Sequence, residues 1–530
     1  MAKNFVNLDA LIPREDFIID EQPTQQASGT EKISIIHLEG AFFGPDLRKP
    51  EFQRETTNWT PKKVADLIQA FVDGDLIPAV ILWRAGRFIF VIDGAHRLGA
   101  LLAWIQDDYG DRTKSLDYCG GVIPDEQRKV ATRTRNLVNK TVGSFQDYYA
   151  ARKNPAGAAQ ELQKRLSNLS VNHIIGQWVP RTDKRSAEDS FFKINQSATP
   201  IDATEKRILK SRRSASAIAA RAITHGGRGH KYWADFPKER AETIEREGAE
   251  LYKALYEPNI GSTAISTLDL PVAGRGYNTL PFVFDLVNLA NRVSVADSTA
   301  KSEEVRDAAL KEDNDGSLTV EFIATVKKRV QRITGDTSRS LGIHPVVYFY
   351  TRGGAFQPTA FLAVSSFLDN LASRDKLKAF TRVRHDFEEF LIRYKEMGPI
   401  IHNFGSGERS VPWLIKYYNR ILEGLLDNKT PEAVHESLVK SPDFSFLAVQ
   451  RQSAVREPST AGSKARFKDS TKTAAYFAVA LGGGPRCALC NSLVHRNSVH
   501  IDHKQGIKDH GGSDLSNAQV THPYCDSIKN

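Results

Sequence analysis

The last 44 residues, Cys487 to Asn530, hold three of the four cysteines and five of the fourteen histidines of this 530-residue chain. Cys487 and Cys490 stand as C-x2-C, and His522 and Cys525 as H-x2-C. Two such pairs, with a long loop between them, make a tetrahedral zinc site of the Cys3His kind. A closed site of this type staples a small unit that could not bury a core of its own. Between the pairs lie "VHIDHK", then "GG", then "LSNAQ". The four zinc donors leave other polar residues of the segment unexplained.

The spacing resembles the zinc-ribbed branch of the HNH endonucleases. Their pattern runs C-x2-C, D-H, G-G, then N five residues before C-x2-C-[HN]-x2-K. Here it falls on Cys487, Cys490, Asp502, His503, Gly511, Gly512, Asn517, His522, Cys525, Asp526 and Lys529. His522 replaces a cysteine, which zinc tolerates, and Asp526 replaces the usual His or Asn. A carboxylate is a hard oxygen donor suited to Mg²⁺ or Mn²⁺. The resemblance implies two metals: a structural zinc, and a catalytic divalent ion held by Asp502 and Asp526. It also implies a ββα-metal fold, with His503 as the general base for water. Asn517 would orient the His503 imidazole through a backbone or side-chain hydrogen bond. On a regular strand Asp502 and His503 point to opposite faces, so they converge only if the strand bends or ends there. His495, His500 and His510 read as surface or packing histidines.

A second chemistry-bearing stretch lies near the other end. "RFIFVIDGAHRLGALLAW" delivers a strand through a glycine turn into a helix N-terminus. Free N–H groups there carry partial positive charge and suit a phosphate. Arg97 adds a fork of donors, and Asp93 can hold a metal–water complex or fix the turn. Together with Gln53-Arg54, Trp59, "GDLIP" and "FFKINQSATPIDATEKR" (191–207), this stretch resembles the ParB/sulfiredoxin-like domain with a D-G-Q-Q-R motif. That domain occurs in GmrSD-type and phosphorothioate-sensing restriction proteins. Carried over, the nucleotide-binding candidates are Gln53, Arg54, Asp93, Gly94, Ala95, His96, Arg97 and Asn195, and the ligand is a nucleotide triphosphate. Ala95 and His96 replace both glutamines. The resulting G-A-H-R is similar to the sulfiredoxin G-C-H-R loop without its thiol, so sulfinic-acid reduction is not available.

These sites need elements to hold them. The reading is a multidomain α/β + α protein. An arm (1–45) precedes the ParB/sulfiredoxin-like α/β sensor (46–207). A helical domain (208–450) and a basic linker (451–475) lead to the ββα-metal HNH nuclease domain (476–530). "TPKKVADLIQAFVDG" reads as a helix capped by Thr60 with Pro61 at its first position. "AVILW" and "RFIFVI" flank "RAG" as a hairpin, and "HRLGALLAWI" returns to helical spacing. Residues 106–190 read as mostly polar, helical and looped.

Composition fits this picture. The chain is 41% hydrophobic and 25% charged, as soluble globular proteins are. Its 72 Lys and Arg against 63 acids give a net charge of +9, a mild excess that permits polyanion binding. The opening "MAKNFVNLDALIPREDFIID" has acids and no apolar stretch, so it does not read as a signal peptide. No apolar run is long enough for a bilayer. The expectation is a cytoplasmic protein, with clustered cysteines binding metal in a reducing compartment.

The function these features imply is a nucleotide-regulated, metal-dependent HNH DNA endonuclease of prokaryotic anti-phage defence. It would be restriction-like, with foreign or modified DNA as partner and no membrane. Alternatives from other classes are a DNA-binding regulator of a modification system and a mobile-element nuclease. Intact Asp502, His503 and Asn517 speak against the first, and the D-G-A-H-R segment against the second. The sequence leaves open the recognised DNA, the nucleotide and the oligomeric state.

Overall fold

Thr60 caps the first long helix, α1 (Pro61–Asp73): its hydroxyl accepts the Lys63 N–H at 3.3 Å, and Gly74 ends the helix in the left-handed region. Val64, Ile68, Phe71 and Val72 form its buried stripe, the side a 3.6-residue period gathers. In this computed structural model α1 belongs to the first of two compact units, Met1–Arg212 and Arg213–Asn530. The structure describes the chain outside residues 1–4, 16–29, 51–55, 57–58, 120–122, 124, 180–203, 205–206, 209–210, 229–230, 259, 261–263, 275–278, 294–311, 406, 449–466, 507–509 and 530.

A six-stranded sheet organises the first unit. Its strands are β1 (Arg14–Glu15), β2 (Thr30–Ser34), β3 (Leu47–Pro50), β4 (Val80–Ala85), β5 (Phe88–Asp93) and β6 (His173–Trp178), in the order β1-β3-β5-β4-β6-β2. The β4–β5 hairpin is antiparallel, as its sequence indicates, while β3 runs parallel to β5 and β4 parallel to β6. Helix α2 (Ala95–Gln106) follows β5 and buries Leu98, Leu101, Leu102 and Trp104. The indole N–H of Trp104 donates to the Gly143 carbonyl at 2.9 Å.

Residues read from sequence as an arm build part of this sheet. β1 pairs with β3, β2 pairs with β6, and Val6, Leu8, Leu11 and Ile12 lie in the core. Their apolar positions are too few and too scattered to show a period. β6 is likewise a strand within a stretch that reads as helix and loop. Asp9 and Lys49 are both buried and meet at 2.5 Å. Arg14, the Thr56 N–H and the Tyr118 hydroxyl complete the shell around the Asp9 carboxylate. Burial alone would raise that carboxyl, but the Arg14 and Lys49 charges hold it well below its usual range.

The second unit is helical over most of its length. Its longest described helices are Lys238–Tyr256, Ser317–Ile333, Pro358–Ser373, α3 (Leu377–Tyr394) and Val411–Leu426. Phe367, Phe380, Phe387 and Tyr418 pack ring against ring at its centre. Residues 449–466, most of the expected linker, lie outside the described residues. The helix α4 (Asp469–Gly483) takes up the linker's end and the start of the expected nuclease. Beyond it come β7 (His500–His503), β8 (Ala518–Thr521) and the short helix α5 (Pro523–Ser527), the order of a ββα unit. Among the described residues no helix is long and apolar enough to cross a membrane.

Candidate metal centre and candidate phosphate turn

The C-terminal ββα segment has little core of its own. Cys487, Val494 and Cys525 are buried there, with Cys490 and Val520 against them. The Cys487–Cys490 turn hangs on β8, because the Ala488 N–H donates to the Val520 carbonyl at 2.9 Å. The donor atoms of Cys487, Cys490, His522 and Cys525 all lie within 4.8 Å of one another. His522 Nδ1 is 3.4 Å from Cys490 Sγ and 3.7 Å from Cys525 Sγ. With Zn–S near 2.3 Å and Zn–N near 2.0–2.1 Å, tetrahedral donors sit about 3.5–3.8 Å apart. The cluster therefore fits a zinc ion. His522 Nε2 lies 3.1 Å from the Leu493 carbonyl, which fixes the ring with Nδ1 toward the sulfurs.

A buried ion pair from α3 supports this knuckle. Arg384 Nε donates to Glu388 Oε1 at 2.8 Å, and both side chains are excluded from solvent. The rest of the guanidinium donates to the Leu341 and Gly342 carbonyls. Glu388 Oε2 in turn accepts the Leu493 N–H at 3.0 Å. Further bonds run from Tyr524 N–H to the Ser340 carbonyl and from Gly335 N–H to the Ser498 hydroxyl. The sequence reading treats the nuclease segment as tethered; these bonds join it to helical residues of the same unit.

Asp502 and His503 are the last two residues of β7, whose register pairs Asp502 with Gln519 and His503 with Ala518. Alternation puts His500 and Asp502 on one face and His503 on the other. The strand runs in regular register through both residues and ends after His503. On the Asp502 face the two carboxyl groups interact. Burial would raise Asp502, but hydrogen bonds from Lys529 and Gln519 outweigh it and hold its carboxyl below the usual range. Asp526 moves the opposite way, raised by burial and by the neighbouring Asp502. Gln519 Nε2 and Lys529 Nζ reach Asp502 Oδ2 at 2.7 and 2.8 Å. Lys529 also donates to the His503 carbonyl at 2.5 Å. His500 Nε2 lies 3.3 Å from Asp526 Oδ2. Two adjacent carboxylates of this kind suit a hard divalent cation.

The His503 ring is half-buried and makes no hydrogen bond or ion pair among the described residues, so its nitrogens are open to a water or substrate. Asn517 touches the loop behind it and not the imidazole. Its Oδ1 accepts the Gln505 N–H at 2.8 Å, and its Nδ2 donates to the Gln505 and Gly512 carbonyls at 3.0 and 2.6 Å. The first of the paired glycines has a steric reason: a Cβ at Gly511 would lie 1.9 Å from the Gln505 carbonyl oxygen. Asn517 thus holds the loop that follows β7, and its carbonyl accepts the Lys504 N–H next to His503 at 2.7 Å.

In the first unit Asp93, Gly94, Ala95, His96 and Arg97 form the turn from β5 into α2. Gly94 has φ 100°, and a Cβ there would lie 2.4 Å from Val80 Cγ1, so only glycine fits. Arg97 turns back onto Asp93 at 2.5 Å and is mostly buried. His96 stacks on Trp59, with centroids 5.4 Å apart and planes 23° apart. Gln53, Arg54 and Asn195 lie outside the described residues.

Comparison with known families supports the first unit.

Residues 38–212 match the family model of the GmrSD restriction endonuclease, N-terminal domain.

The match ends where the first unit ends, and it points to a restriction-endonuclease type of protein. No curated protein and no solved structure matches the chain.

Sequence reasoning left His500 aside and gave Gln519, Lys529, Arg384 and Glu388 no role. His500 was reachable, since it stands two residues from Asp502 and so shares its strand face. Gln519 needed the strand register. Nothing in "TRVRHDFEEF" ties Arg384 and Glu388 to cysteines a hundred residues on.

Proposed function

We propose that the protein is a metal-dependent DNA endonuclease of the HNH type, acting in restriction-like anti-phage defence under nucleotide control from its first unit. The observation that carries the nuclease reading is the meeting of Asp502 and Asp526 on one face of β7, with His503 the next residue of that strand and a Cys3His cluster in the same segment. The restriction context rests on the match of residues 38–212, and DNA is the substrate that context implies.

The chemistry is phosphodiester hydrolysis. His503 takes a proton from water, whose oxygen then bonds to phosphorus as the bond to the 3′ oxygen breaks. Asp502 and Asp526 would hold a Mg²⁺ or Mn²⁺ ion, which supplies positive charge for the phosphate and the leaving oxygen. Asn517 clamps the loop that positions His503. Cys487, Cys490, His522 and Cys525 would hold a zinc ion whose role is structural. In the first unit, the Gly94 turn and the α2 N–H groups would receive a triphosphate, with His96 and Arg97 beside it.

The test uses purified full-length protein with plasmid and with modified phage DNA, each with and without Mg²⁺ or Mn²⁺ and each NTP. Nicked or linear product that requires the divalent ion supports the reading. Intact DNA under every condition contradicts it.

A further inference from the structure

We infer that His500 is a positioning residue that aims the Asp526 carboxylate at the catalytic ion, as Gln519 and Lys529 do for Asp502. The inference rests on the reading of Asp502 and Asp526 as ligands of that ion.

The geometry is symmetrical in effect. Asp502 is braced on Oδ2 by Gln519 and Lys529. His500 Nε2 lies 3.3 Å from Asp526 Oδ2. The two carboxylates also meet each other, and a cation would lie between them. All of these groups come from three short elements and from Lys529, two residues past the last of them. His500 and Asp502 lie on one face of β7, Gln519 stands opposite Asp502 on β8, and Asp526 is on α5.

There is a chemical reason for a brace at this position. Asp526 stands where an imidazole or amide is usual in the resembled motif. A carboxylate swings about a single bond and can turn either oxygen toward a cation. A ligand of that kind binds tightly only when a neighbouring donor fixes it. The imidazole of His500, two residues before Asp502 on the same face of β7, is the group within reach of that carboxylate. An ion pair this exposed adds little to folding stability, so its effect should appear in metal affinity and not in the fold.

The test is Mn²⁺ binding to the zinc-loaded full-length protein, read from the electron paramagnetic resonance signal of free Mn²⁺. Wild type is expected to bind one Mn²⁺ beyond its zinc. His500→Leu should weaken that binding by about 10- to 100-fold, the usual effect of losing a group that orients a ligand. His500→Gln keeps an N–H donor at similar reach and should restore most of the affinity. Zinc content and melting temperature should not change in either variant. At saturating Mn²⁺ the leucine variant should regain most of its cleavage rate. A leucine variant that binds Mn²⁺ as wild type does would overturn the inference. So would a glutamine variant as weak as the leucine one. Asp502→Ala separates the two levels: if it too binds Mn²⁺ like wild type, the ion site itself is misread.

Discussion

Glu388 on α3 accepts the backbone N–H of Leu493 at 3.0 Å, and the carbonyl of the same Leu493 lies 3.1 Å from His522 Nε2. One residue thus links the buried Arg384–Glu388 pair to a candidate zinc ligand. The consequence is that the metal cluster and the helical residues around α3 should lose stability together.

Zinc removal tests this. Metal analysis of EDTA-treated, desalted protein should find about one tightly held zinc per chain. Cys525→Ser should lose that zinc, and its amide protons should exchange faster in 338–348 and in α3 as well as in 485–529. From the sequence alone, with a linker before the nuclease, only the C-terminal segment is expected to unfold. Faster exchange confined to that segment would show that the link from Leu493 to Glu388 carries no stability.

Glu388→Gln probes the same joint from the other side. It leaves the Arg384 charge buried without its partner. Breaking such a pair costs about 3–5 kcal/mol. Thermal unfolding of the variant should begin well below wild type, and its zinc content should fall. A melting temperature and zinc content equal to wild type would rule out this role for the pair.

The Asp9–Lys49 pair should make the first unit acid-sensitive. The folded state holds the Asp9 carboxyl well below its usual range. A depressed carboxyl adds stability that is fully present above its unfolded value, about pH 4, and is lost as pH falls toward the folded value. Asp9→Asn should remove that dependence and destabilise the unit at neutral pH by about 3–5 kcal/mol, since Lys49 is left unpaired. Urea titrations of both proteins between about pH 3 and 7 measure the difference. Parallel stability curves would contradict the assignment.

Arg97→Ala should act twice. It removes the partner of Asp93, so the first unit should lose about 1–3 kcal/mol. It also removes a donor beside the α2 N-terminus, so NTP binding should weaken by about 1.5–3 kcal/mol. Binding is measured by calorimetry at a temperature where circular dichroism shows the variant folded. Wild type that binds no NTP at millimolar concentration would remove the nucleotide from the proposed function.

What the sequence reveals follows from how local each signal is. The Thr60 cap, the β4–β5 hairpin and the glycine turn into α2 depend on neighbours within a few residues, and the structure has them. The Cys3His cluster is legible because metal donors are few and their pairing is short-range. β1, β2 and β6 were not legible, because each gains its stability from partners far away in the chain: β1 and β2 at the sheet's edges, and β6 between β4 and β2. Arg384 and Glu388 look like an ordinary i, i+4 surface pair, and only the fold shows that no water reaches them. Asn517 is expected from the resemblance to orient the imidazole through a backbone or side-chain hydrogen bond, and its observed bonds run to Gln505 and Gly512.

The most direct measurement is plasmid nicking by His503→Ala beside wild type in Mn²⁺, with DNA binding and zinc content read on the same samples. The expected result is a rate lower by about 10²–10⁴-fold, the usual share of a general base, with binding and zinc unchanged. Equal nicking rates in pure preparations of the two proteins would contradict a hydrolytic site at the end of β7.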